Sequence, residues 1–145
     1  MTAREEIAGL YASYFGEVER LRQNGKATDG LLGLGGGPAS DGCQDRFAEQ
    51  AQAAFRNLSG RGLPPEELRE VLEYAYRIPL DYREDQVVYW MLLAVQGATL
   101  PLVEALAAGD AAALAEAYRR DYPRFTRLPV QKQVLTALKN RAKGR

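Results

Sequence analysis

Apolar residues recur along this chain with the 3.6-residue period of helices, and in one place they crowd together. The series Ile7, Leu10, Tyr11, Tyr14, Phe15, Val18 and Leu21 keeps the i, i+3/i+4, i+7 spacing. At 100° per residue it occupies a stripe about 140° wide, and Glu17, Glu19, Arg20 and Arg22 fall outside it. A surface helix over about Ala3 to Asn24 follows, opened by a Thr2/Glu5 capping box and ended by Gly25.

Phe47, Ala51, Ala54, Phe55 and Leu58 predict a second helix, about Gly42 to Ser59, with Asp41 as N-cap, Gln44 completing the box and Gly60 and Gly62 ending it. Pro64-Pro65-Glu66-Glu67 opens a third, which buries Leu68, Val71, Leu72 and Ala75 and stops before Pro79.

The crowded stretch is Val87-Val88-Tyr89-Trp90-Met91-Leu92-Leu93-Ala94-Val95, which holds the only Trp of the molecule and no charge. Being apolar all round, it predicts a central helix packed on every side, over about 82–96, capped by Asp81 with Glu84 and ended by Gly97. A short helix from Thr99 and Pro101 through Ala108 follows, stopped by Gly109. Another, capped by Asp110, runs over about Ala111 to Tyr122, and a last one begins near Pro129. No alternating β-branched run or hairpin signal suggests strand. The expected fold is all-α: a single domain over residues 1–145, a helical bundle or irregular array of six to seven helices around the central apolar one. No repeat of solenoid length shows.

Residues 25–41 break the helical pattern. Six glycines and Pro38 forbid a regular element, yet Leu31, Leu32 and Leu34 suggest a loop that folds back onto the body. Its glycines do not make a phosphate loop, because no lysine follows them. Nor do they make a dinucleotide fingerprint, because Pro38 stands where the third glycine belongs.

Composition narrows the function classes. The chain has no histidine and one cysteine, which removes Cys/His zinc sites, Ser-His-Asp triads and Cys-His pairs within one chain. Cys43 falls on the apolar stripe near Phe47 and reads as a small core residue. Glu66, Glu70 and Glu73 share the face opposite the buried stripe of their helix, which is a solvated surface rather than a metal site. We therefore expect no catalytic residue, no cofactor and no metal, although a carboxylate or lysine enzyme is left open. No apolar run reaches the roughly 20 residues of a membrane span, and the N-terminus lacks the order of a signal peptide. The expectation is a cytoplasmic protein with no membrane partner.

Net charge is zero but unevenly spread. Residues 1–118 hold 10 Lys/Arg against 18 Asp/Glu, and residues 119–145 hold nine Lys/Arg against Asp121 alone. In this basic C-terminal segment Arg119, Arg120, Arg124 and Arg127 are interleaved with Tyr118, Tyr122 and Phe125. On the last helix Lys132, Lys139 and Lys143 fall within about 40° of one another, opposite Val130, Val134 and Leu138. Two partner classes fit. One is a protein, including a second copy, docked by charge complementarity in a non-enzymatic interaction module. The alternative is nucleic acid, with cations on phosphates and rings on bases across 118–145.

If residues 87–95 form the core, Leu92→Ala or Leu93→Ala costs roughly 2–5 kcal/mol in a denaturant melt. A loss under about 0.5 kcal/mol at both, the size of a surface substitution, contradicts that placement.

Overall fold

A computed structural model describes residues 1–23, 42–124 and 127–144. Among them the chain is all-α, with no strand. Helix α1 (Ala3–Gln23) is followed by α2 (Cys43–Arg61) and α3 (Pro65–Arg77). A 3-10 segment, Ile78–Tyr82, leads into α4 (Gln86–Ala94). A second 3-10 segment, Val95–Thr99, leads into the one-turn α5 (Leu100–Val103). Helices α6 (Ala108–Asp121) and α7 (Pro129–Ala142) complete the array. The expected loop 25–41 lies outside the described residues, together with Asp41 as cap and Gly25 as stop.

Helix α1 forms as its sequence predicts. Thr2 Oγ1 accepts from the Glu5 amide at 3.1 Å, and Glu5 returns the bond to the Thr2 amide at 3.3 Å. Ile7, Tyr11, Tyr14, Val18 and Leu21 are buried. Tyr14 stacks on Phe47 at 4.2 Å and 9°, and Tyr11 meets the same ring edge-on at 5.1 Å, so an aromatic seam joins α1 to α2. From α3, Glu67 accepts the Ala3 amide at 2.7 Å, which satisfies one of the bare donors at the start of α1.

The apolar run packs differently from its expectation. Leu92 and Leu93 are fully buried, but Trp90 is 46% exposed and its indole N–H donates to Gln86 on the same helix. Helix α4 is thus two-sided, and shorter than 82–96. Its cap is Asp85, which accepts from the Val88 amide at 3.3 Å, while Asp81 sits in the preceding 3-10 segment. Arg22 at the end of α1 decides between the two acids by gripping both Asp85 oxygens at 2.5 and 2.6 Å.

The central position falls to Val95–Thr99, which packs against α2, α3, α4, α5 and α7. Here Gly97 has a steric reason: a Cβ on it would lie 3.0 Å from Val130 Cγ2 of α7. Residues Gln86–Val103 together make 18 helical residues of mean hydropathy 1.4, enough by length and composition to cross a membrane, and 44% of them are buried inside this fold. Inside that run Gln96 and Thr99 are fully buried and hydrogen-bonded.

Several boundaries move, and the short helix expected through Ala108 ends at Val103. Helix α2 starts from Gly42 in a left-handed conformation at φ 79°, and Gly60 is inside it, with Gly62 at the left-handed C-cap. Gly109 does not stop a helix. It belongs to the first turn of α6, whose N-cap is Ala107, and Asp110 approaches Arg69 of α3 at 3.7 Å.

The Arg22–Asp85 pair generates a pH prediction. Its hydrogen bonds hold the Asp85 carboxyl below the ordinary aspartate range, so the pair contributes stability above an unfolded pKa of about 3.9. That contribution is lost as pH falls through the lowered native value. Asp85→Asn should therefore cost about 1–2 kcal/mol at pH 7, the pair being one-quarter exposed. Wild type and variant should converge in urea melts as the pH falls below that lowered value. A gap unchanged with pH contradicts this reading.

Candidate docking surface

The basic C-terminal segment is distributed over a helix hairpin. Helices α6 and α7 are the most extensively paired elements of the fold, joined through residues 122–128. The buried residues of the two helices are Ala111, Leu114, Ala115 and Tyr118 of α6 and Gln131, Val134, Leu135 and Leu138 of α7. At the start of α7, Gln131 Oε1 accepts the Leu128 amide at 3.0 Å, and near its end Arg141 donates to the Leu106 carbonyl at 2.6 Å.

The seven basic residues singled out from the sequence end in different roles. Lys132, Lys139 and Lys143 lie exposed on the outward face of α7, with no ion pair among the described residues. Arg124 is exposed beyond Pro123. Arg119 reaches back to Glu116 at 2.9 Å, and Arg120 lies 3.7 Å from Asp121. Arg127 is half-buried and donates from Nε to the Tyr122 carbonyl at 2.8 Å, where it closes the end of α6. The free charge is therefore that of the α7 lysines and Arg124.

Two of the interleaved aromatics, Tyr118 and Tyr122, face inward. Tyr118 and Tyr122 are 1% and 2% exposed, and Phe125 lies outside the described residues. The Tyr118 hydroxyl donates to Gln96 Oε1 at 2.6 Å, and Gln96 Nε2 donates to the Tyr122 hydroxyl at 3.2 Å. Tyr122 in turn donates to the Tyr76 carbonyl. Thr99 gives its one hydroxyl proton to the Gln96 carbonyl at 2.7 Å, so Tyr76 is the donor in the 2.8 Å Tyr76–Thr99 bond. Burial pushes the Tyr76, Tyr118 and Tyr122 hydroxyls above their ordinary pKa, and they remain neutral donors. With their polar ends bonded in the core, Tyr118 and Tyr122 present no face on which a base could stack.

A groove that the sequence did not announce borders the lysines. Between α5 and α7 an open depression of about 580 Å³ is lined by Leu100, Glu104, Lys132, Gln133, Thr136, Ala137 and Asn140. Its α7 wall was legible as the polar side of a helical period. Leu100 and Glu104 arrive from another element and carry no local signal. Among the described residues no group of three or more acids and cysteines is placed to hold a metal ion. Cys43 is 1% exposed, at the start of α2. A second depression, of about 490 Å³, lies along α3 and mixes Arg4, Arg77 and Arg83 with Glu70, Glu73 and Asp81.

Comparison of the chain with models of known protein families, with curated proteins and with solved structures finds no match.

Proposed function

We propose that this protein is a non-enzymatic helical interaction module, docking a protein partner through its basic C-terminal surface. The observation that carries this reading is the contrast in how cations are used. Arg22, Arg61 and Arg69 are bonded to acids of their own chain, whereas Lys132, Lys139 and Lys143 stand together without a counter-ion among the described residues. A cluster of like charge on a rigid helix steers an oppositely charged surface and sets its register. The same cations could meet phosphates, but the two tyrosines among the segment's described residues are buried and offer no ring for single-strand stacking.

The two partner classes separate in one pair of measurements. Wild-type protein and Lys132→Glu/Lys139→Glu serve as baits in quantitative affinity capture from cells that make the protein. In parallel, mixed DNA and RNA oligonucleotides are titrated by anisotropy between about 50 and 200 mM salt. The proposal expects a protein that the wild type retains and the charge-reversed bait loses, with no steeply salt-dependent oligonucleotide binding. Oligonucleotide affinity that collapses across that range, with no lysine-dependent protein, overturns it.

A further inference from the structure

We infer that the groove between α5 and α7 seats one face of an acidic amphipathic helix supplied by the partner protein. This inference rests on the docking reading above and specifies its occupant.

Three features of the groove select this chemistry. Its apolar surface comes from Leu100 and Ala137, which an aliphatic side chain can cover. Its α7 wall presents Gln133, Thr136 and Asn140, all exposed, as hydrogen-bonding groups beside that floor. Lys132 lines the groove and begins a row with Lys139 and Lys143, which lie outside the lining on the adjoining exposed side of the helix; the row spans about 16 Å at 1.5 Å per residue, the length of three helical turns. A helix with carboxylates seven and eleven residues apart matches that row, and apolar residues on its neighbouring stripe point into the groove. This is the helix-in-groove mode of recognition, with lysine as a mobile point charge rather than a rigid fork. Glu104, the one acid among the lining residues, disfavours a partner acidic all round. No ring lines the groove, so a single-stranded nucleic acid would gain charge contacts there and nothing for its bases.

The test uses a synthetic probe and the full chain. A stapled peptide of about 14 residues, long enough for three helical turns, carries Glu on one face and Leu on the adjoining one. It is compared by anisotropy with a peptide of the same composition in scrambled order and with a single-stranded RNA of similar charge. Wild type should bind the amphipathic peptide about tenfold or more tightly than the scrambled one, and Lys132→Glu/Lys139→Glu should lose about that factor. The decisive variant is Ala137→Arg, which fills the groove while adding positive charge. It weakens binding if the groove is the seat, and strengthens it if charge alone attracts the peptide. Thr136→Arg makes the same test from an exposed position should Ala137→Arg fail to fold.

Equal binding of the scrambled peptide, tighter binding by the groove-filling variant, or preference for the RNA each overturns the inference. If the peptide fails while a lysine-dependent protein is still captured, docking stands and the groove is not its seat.

Discussion

One buried amide constrains how this array of helices assembles. Gln96 is fully buried, and an unpaired amide in such a place costs about 1–3 kcal/mol for each missing bond. It is satisfied only if the end of α6 meets the segment Val95–Thr99, and the same bonds draw in α3. Tyr118 of α6 supplies the donor for its oxygen, and Tyr122 accepts from its nitrogen. Tyr122 then binds the backbone of Tyr76 on α3, whose hydroxyl returns through Thr99 to the carbonyl of Gln96. The rings pack as they bond, Tyr76 edge-on to Tyr118 at 5.2 Å and Tyr118 against Tyr122 at 4.8 Å. Apolar burial supplies most of the driving force, but burial is not directional. The hydrogen-bonded ring specifies one arrangement among many equally apolar ones.

Around this point the molecule divides its tasks. Helices α1, α2 and α3 form one cluster through the aromatic seam, fixed at its edges by Glu67 on Ala3 and by the Arg61–Glu6 pair. Helices α6 and α7 form a hairpin, and Val95–Val103 bridges the two. Arg22, Arg46, Arg61, Arg69 and Arg141 each tie one element to another. The lysines of α7 make no ion pair among the described residues, so a partner docked there, as proposed, would leave the core undisturbed.

What could be read from the sequence follows locality. The α1 stripe and its Thr2/Glu5 box depend on residues within a turn or two, and both form as expected. Asp81 and Asp85 are equally good caps by local rules, and the choice falls to Arg22, 63 residues away. The run 87–95 is apolar on every side, but only Val88, Leu92, Leu93 and Val95 are buried in the core, because the centre is occupied by the polar-looking segment that follows. Gln96 and Gly97 read as a helix end. Their roles, bonding to residues 22 and 26 positions on and clearing Val130, carry no period. The lysine row was visible because it repeats along one helix. The groove beside it was not, since its other wall belongs to α5.

The role of Gln96 is tested most directly by a double-mutant cycle between Gln96→Leu and Tyr118→Phe, measured by denaturant unfolding. Each single change strands a buried partner and should cost roughly 1–3 kcal/mol. The double change removes both polar groups in nearly the same volume. It is predicted to cost at least about 1 kcal/mol less than the two single changes together. Additivity within about 0.5 kcal/mol would mean that the two side chains do not act as a pair, and would contradict the central role given to Gln96.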